Sequence, residues 1–142
     1  MTNERKTLFP LTKKEHYLAG LFLYWGEGGK TQRFSISLSN TDPRMINFFI
    51  DWIEKHFSVS KRKIVARLHL YKDMNIKKEI HYWSKKLKLN KDQFRKPYIK
   101  TTTLRGLTYK TLGHGTCNVF LNNRDISEKV FMGMKALADR YE

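Results

Sequence analysis

The chain has 142 residues, of which 40% are hydrophobic and 13% aromatic, enough to bury the core of one compact domain. This composition excludes a disordered tail, the single cysteine excludes a disulfide framework, and no apolar run reaches the ~20 residues that span a bilayer. The formal net charge is +15, and residues 61–110 hold sixteen Lys and Arg against three acids, which predicts a basic face that attracts nucleic acid.

Residues 1–11 are expected to be an N-terminal extension of a single domain that spans residues 1–142. The charged start, MTNERKT, lacks the apolar core of a secretion signal, so we expect an intracellular protein, cytoplasmic or nucleoid-associated in a prokaryote. The charge also fits a merely solvated surface. An anionic membrane is disfavoured as partner, because no long helix sets lysines opposite bulky apolar residues.

The first predicted helix begins after Thr12, which forms a capping-box pattern with Glu15. A helix that is apolar on every side is buried in a core or between two subunits. The small residues Ala19, Gly20 and Gly26 would let a second backbone approach it closely. The apolar residues around this helix are Leu18, Leu21, Phe22, Leu23, Tyr24 and Trp25.

Alternation with a period of two predicts strands in the later segments. RFSISLS (33–39), IVARLHLY (64–71) and CNVFLNN (117–123) place apolar side chains on one face and mostly polar ones on the other. KPYIKTTTL (96–104) reads as a further strand, followed by a glycine-bounded turn at 105–115. Cys117 falls in this alternation, which predicts a buried thiol rather than a nucleophile.

Amphipathic helices follow the strands. Thr41 or Asp42 can cap one helix, with Pro43 in its first turn, and two more cover 75–87 and about 125–141. Strands followed by helices in this way predict an α+β fold, with helices packed on one face of a mostly antiparallel sheet.

The other face of this sheet would be open, with basic, hydroxyl and aromatic side chains. Cations on such a face can bind phosphates, and polar tips can reach base edges. We therefore predict that this face binds nucleic acid. Its residues are Arg33, Ser35, Ser37, Arg67, His69, Tyr71, Lys96, Tyr98, Lys100, Thr102 and Asn118.

The segment YLAGLFLYWGEGGK (17–30), an apolar helix that ends in an acid–glycine pair and enters a strand, resembles the LAGLIDADG homing-endonuclease family. The likeness continues more loosely through ISLSNTDPRMINFFIDWI, RLHLY, QFRKPYIK and GTCNVFL. The resemblance implies that two such helices pack side by side beneath a saddle of β-strands that binds double-stranded DNA. The acid that ends each helix would bind a divalent metal at the scissile phosphates, and a single copy of the motif implies a homodimer.

Carried over to this chain, Glu27 is the ligand of Mg²⁺ or another divalent cation, and Gly26 allows close helix contact. This gapless alignment places Phe22 where the family prefers a small residue. The alternative alignment, with LAGL at 18–21 as the start of the motif, puts Leu23 and Trp25 at acidic positions. Glu27 would otherwise be an exposed acid in a helix-to-strand turn.

The resemblance implies a Mg²⁺-dependent, site-specific endonuclease of double-stranded DNA that acts as a homodimer. The alternative is a relative of the same shape that binds DNA without cutting it, as a transcription regulator would. The expected catalytic residues are Glu27, Lys96 and Lys100, with Lys30 as a further candidate cation. The expected dimer interface comprises Ala19, Gly20, Phe22, Leu23 and Gly26. The DNA contacts predicted beyond the open-face set are Lys30, Arg95, Arg105 and Lys110.

Other chemistries have weaker support in the sequence. His69 or His114 could act as the general base of a histidine nuclease. The five histidines show no metal-ligand spacing, which disfavours zinc. GEGGK lacks the spacing and the Ser or Thr of a phosphate-binding loop, which disfavours a nucleotide-triphosphate site.

Overall fold

The computed structural model describes residues 2–101 and 113–142, and within these ranges the chain forms five α-helices and four β-strands. The helices are α1 (Asn3–Leu8), α2 (Lys13–Glu27), α3 (Pro43–Phe57), α4 (Ile76–Leu87) and α5 (Arg124–Asp139). The strands are β1 (Ser35–Asn40), β2 (Val65–Tyr71), β3 (Tyr98–Lys100) and β4 (Thr116–Asn122). The predicted strand at 96–104 is thus found over Tyr98–Lys100, and its last three residues lie outside the described ranges.

The four strands form one mixed sheet in the order β1-β4-β2-β3. β4 pairs antiparallel with β1 and β2, whereas β2 and β3 are parallel. A parallel pair needs a crossover connection, and α4 lies in the chain between these two strands. The architecture is therefore α+β, as predicted, with one parallel pairing that side-chain alternation does not reveal.

One face of β1, β4 and β2 is buried, because side chains alternate along each strand. Its residues are Ile36, Leu38, Ala66, Leu68, Leu70, Cys117, Val119 and Leu121, each no more than 4% exposed. Helices α2 to α5 supply most of the rest of the same core, so the helix layer covers this face and leaves the other open. Burial raises the pKa of the Cys117 thiol to about 12, which keeps it protonated and unreactive.

The helix starts follow the predicted caps. Thr12 accepts a hydrogen bond from the Glu15 amide, and the Glu15 carboxylate accepts one from the Thr12 amide at 2.8 Å. Asp42, rather than Thr41, caps α3, with Pro43 in the first turn. These local signals fix where α2 begins and where β1 gives way to α3.

Gly20 brings α2 against α3 within one chain. A Cβ on Gly20 would lie 2.0 Å from Trp52 Nε1, and the same indole nitrogen donates a hydrogen bond to the Tyr17 carbonyl at 3.0 Å. The space beside Gly20 is therefore filled by Trp52 of the same chain, and the prediction that Gly20 lies between two subunits is wrong. The physical reason is that Trp52, a fully buried residue of α3, needs the space that a side chain would take.

The N-terminal extension contains α1, a helix that the sequence did not predict. None of its residues is buried, and Leu8 and Phe9 expose 60% and 57% of their surface. Across residues 2–101 and 113–142, no helix combines the length and the apolar character needed to cross a membrane.

Candidate nucleic-acid interface

The open face of the sheet carries the side chains that alternate with the core residues. Strand pairing sets Arg67 beside Asn118, and sets His69 between Thr116 of β4 and Tyr98 of β3. Directly paired residues point to the same side of a sheet. The open-face positions predicted in β2, β3 and β4 are therefore neighbours on one surface.

This surface has no negative side chain of its own, because none of the four strands contains Asp or Glu. Its strand cations are Arg67 and Lys100. Three exposed cations lie in the segments that lead into strands, Arg33 before β1, and Arg95 and Lys96 before β3. A face with one sign of charge attracts phosphate along its whole width.

Aromatic rings lie among these cations. The ring centroids of His69 and Tyr98 are 5.5 Å apart, and Lys100 Nζ lies 4.8 Å from the centroid of the Tyr71 ring. Burial, with help from Lys100 and Arg67, lowers the pKa of His69. His69 is therefore neutral at pH 7 and can both donate and accept a hydrogen bond at a base edge.

A concavity of about 420 Å³ opens in this face, between the loop that follows α2 and strands β1, β4 and β2. Its lining is Thr31, Gln32, Ser35, Ser37, Arg67, Asn118, Phe120 and Asn122. Hydroxyl, amide and guanidinium groups of this kind read base edges in the major groove. The concavity is thus the part of the open face best equipped to distinguish bases.

The sequence pattern predicted four of the eight residues that line the concavity. Phe120 and Asn122 share the alternation that gave Asn118, so their positions could have been read from the same pattern. Thr31 and Gln32 lie in the loop before β1, where no periodicity operates. Only the folded structure brings them over the strands.

Two predicted contacts expose little surface. Ser35 is 8% and Tyr71 7% exposed. The Lys100 ammonium lies over the Tyr71 ring, so this ring supports a cation rather than meeting DNA itself, which corrects the prediction for Tyr71. Three other predicted contacts lie outside the described residues: Thr102, Arg105 and Lys110.

Helix α2 ends with Glu27 at the outer edge of β1. Gly28 forms an antiparallel bridge with Leu38, and the Gly29 amide donates a hydrogen bond to the Ser37 carbonyl at 2.9 Å. A Cβ on Gly29 would lie 2.2 Å from Ser37 Oγ, so glycine lets the chain pass close beside an open-face side chain. Glu27 is exposed and has no hydrogen-bond or ion-pair partner in the described part of the chain.

Tyr24 fixes this helix end. Its hydroxyl donates to the Gly29 carbonyl and accepts from the Ser37 amide at 3.2 Å. Burial raises the pKa of Tyr24, so the hydroxyl keeps the proton that it donates. A Cβ on Gly28 would lie 2.3 Å from the Tyr24 ring, which explains one of the two glycines that flank the acid.

The predicted catalytic cations do not share one place. Lys30 Nζ donates to the Trp25 and Gly28 carbonyls, each at 2.9 Å, and so lies at the helix end that carries the acid. Lys100 lies in β3, and Lys96 just before it, at the opposite edge of the sheet. Three strand spacings separate the edges, about 14 Å. Lys96 and Lys100 therefore do not form a cluster with the acid in one chain, because strand order, which the sequence did not give, sets them apart.

The described part of the chain packs against only one side of helix α2. On the other side Phe22 is 48% and Trp25 40% exposed, and Ala19 and Gly26 are exposed beside them. Leu23, also predicted at the interface, is partly buried against its own core. The uncovered side of α2 consists of Ala19, Phe22, Trp25 and Gly26, and we call it the free face of α2.

His114 lies between two glycines, and three residues of α4 nevertheless hold it in place. Its Nδ1 lies 2.8 Å from Glu79 Oε2, its ring stacks on Tyr82 with centroids 3.5 Å apart, and its carbonyl accepts from Trp83 Nε1 at 2.8 Å. Glu79 is only 4% exposed. These contacts give His114 a structural task, which is to attach the start of β4 to α4.

Comparison of the chain with protein-family models, curated proteins and solved structures finds no match.

Proposed function

We propose that the protein is a divalent-metal-dependent, site-specific endonuclease of double-stranded DNA that acts as a homodimer through the free face of α2. The observation that carries the proposal is the position of Glu27. A carboxylate with no partner among the described residues ends an apolar, half-covered helix, at the edge of a sheet whose strands contain cations and no acids. The LAGLIDADG resemblance gives this arrangement its interpretation.

The dimer follows from the apolar surface. Exposed Phe22 and Trp25 lie on one helix face beside Ala19 and Gly26, which leave room for a second helix. A two-fold axis along this face would cover both copies and bring two helix ends together. The two open faces would then join into one long basic surface for a single duplex.

A dimer would also supply the ligands that a metal ion needs. Within residues 2–101 and 113–142, no group of three or more His, Cys, Asp or Glu side chains could hold a metal ion. Mg²⁺ prefers oxygen ligands and is usually bound by one or two carboxylates together with substrate phosphates. Two copies of Glu27 and the DNA backbone fit that requirement, and the bound ion would activate water and neutralise charge on the phosphate.

The protein's own residues have distinct tasks in this scheme. Tyr24 and Lys30 hold the end of α2, so that Glu27 keeps its place at the edge of β1. Arg67 and Lys100 bind phosphates, and the amides around the concavity contact bases.

A regulator that binds DNA without cutting is the second candidate, and one observation favours it. Within the described residues Glu27 is not part of any group of three or more potential metal ligands, so catalysis would depend entirely on dimer geometry. The same open face would serve binding in either case.

Replacement of Glu27 by Gln separates the two candidates. With Mg²⁺ and a library of duplexes, we expect the wild-type protein to cut, and Glu27→Gln to reduce cutting by ~100-fold or more while binding persists, because a metal ligand is lost and no DNA contact is removed. Glu128→Gln, which removes an exposed acid of α5, is the control and should cut normally. Tight binding by the wild type without cleavage of any duplex would support the regulator instead.

A further inference from the structure

The outer side of α4 is a second basic surface, separate from the open sheet face. Its residues are exposed Lys77, Lys78, His81, Lys85 and Lys88, which we call the α4 basic face. At 100° per residue, Lys78 and Lys85 lie opposite the core residues Trp83 and Leu87. The hydrophobic core therefore lies between the α4 basic face and the sheet.

No acid neutralises this face from its own helix. Glu79 is the single acid of α4, and it is buried and bound to His114. None of the lysines of the α4 basic face has a carboxylate partner within the described ranges. Their positive charge is thus available to a partner.

In two other outer helices, α3 and α5, a lysine pairs with an acid of the same helix. Lys55 of α3 pairs with Asp51 at 3.2 Å, and Lys135 of α5 pairs with Asp139 at 2.6 Å, both four residues apart. In α4, by contrast, Lys77 and Lys78 lie in the first turn, where the helix dipole disfavours cations. Fold stability does not account for the two lysines of the first turn, whereas binding of a polyanion does.

Duplex DNA fits this surface better than a membrane does. The seven helical steps from Lys78 to Lys85 rise about 10 Å along α4, which matches roughly three phosphates of one strand along the duplex axis. An interfacial helix would also need bulky apolar side chains facing the lipid, but α4 turns Trp83 and Leu87 into the core.

We propose that the α4 basic face binds a second DNA segment, so that the protein holds two duplexes at once. This inference rests on the proposed binding of a first duplex by the open sheet face. Because the core separates the two surfaces, a straight duplex on the sheet leaves α4 free for another.

A capture assay tests the proposal. One duplex is attached to beads, protein is added at 150 mM salt, and retention of a second, labelled duplex is measured beside the affinity for a single duplex in solution. We expect the wild type to retain the second duplex. Lys78→Gln combined with Lys85→Gln should reduce retention at least about fivefold and change single-duplex affinity less than about twofold. The matched control, Lys55→Gln combined with Lys135→Gln, removes the same charge from α3 and α5 and should retain the duplex normally.

The outcomes separate this inference from the proposed function. If the wild type binds no duplex at all, the proposed function fails. If it binds one duplex but retains no second, or if the α4 variant retains as much as the wild type, the α4 proposal is overturned. An equal loss of single-duplex affinity and retention would place α4 on the first duplex and would also overturn it.

Discussion

Two glycines of α2 have opposite surroundings, although both are helical. A Cβ on Gly20 would overlap the Trp52 indole, whereas a Cβ on Gly26 would meet no atom within 4 Å. A helical glycine costs about 1 kcal/mol relative to alanine. The cost at Gly20 is explained by packing within the chain. At Gly26 nothing in the described chain explains it, and close approach of a second helix would.

Gly20→Ala should lower the free energy of unfolding by at least ~1–3 kcal/mol, because the new methyl group forces Trp52 out of its place. Gly26→Ala should raise it by up to ~1 kcal/mol, since alanine is the better helix former and has open space. Urea unfolding, at concentrations where the protein is monomeric, measures both. Equal effects of the two substitutions would contradict the intrachain role of Gly20.

At the scale of elements, α2 and α3 are joined by a chain of hydrogen bonds at one end. His16 Nε2 lies 3.3 Å from Asp51 Oδ2, and His16 Nδ1 lies 2.7 Å from His56 Nε2. A carboxylate only accepts, so His16 Nε2 donates to Asp51, and one further hydrogen bond joins His16 Nδ1 to His56 Nε2.

The stability of this junction should fall in mild acid. Burial, with help from His16 and Lys13, lowers the pKa of His56, so the unfolded chain binds a proton here more readily than the folded one. The contribution of neutral His56 to the free energy of unfolding is therefore complete above its unfolded pKa of about 6.5. It is lost as the pH falls below that value. Urea midpoints at pH 7.5 and 5.8 should show the decrease, and His56→Gln should reduce it. An identical decrease in His56→Gln would assign the effect to other groups, such as His69, whose pKa is also lowered.

The sequence predicted the elements well, because their signals are local. Alternation gave β1, β2 and β4, and caps such as Thr12 and Asp42 gave the starts of α2 and α3. Strand order depends on contacts between distant segments, so the separation of Lys100 from the end of α2 could not be read from the pattern. The same holds for Gly20, whose neighbour Trp52 lies on another helix.

At the scale of the whole molecule, three separate surfaces differ in their charge and apolar character. The open sheet face and the α4 basic face both carry cations, and the free face of α2 carries exposed aromatic rings. Single exposed apolar residues are ordinary on a monomer, but Phe22 and Trp25 lie together, with ring centroids 6.2 Å apart. This pair lies on the third surface, where we propose that a second copy binds.

Sedimentation of the protein without DNA tests that dimer directly. At micromolar concentration we expect a mass of twice 17.0 kDa for the wild type, and about half of that for Phe22→Glu, because a charge buried between two α2 helices has no partner. Met132→Glu is the matched control, since it puts the same charge at a 70% exposed apolar position of α5 and should leave the dimer intact. A monomeric wild type would remove the second Glu27 from the metal site and, with it, the proposed nuclease. The basic open face would then act alone, on shorter stretches of DNA.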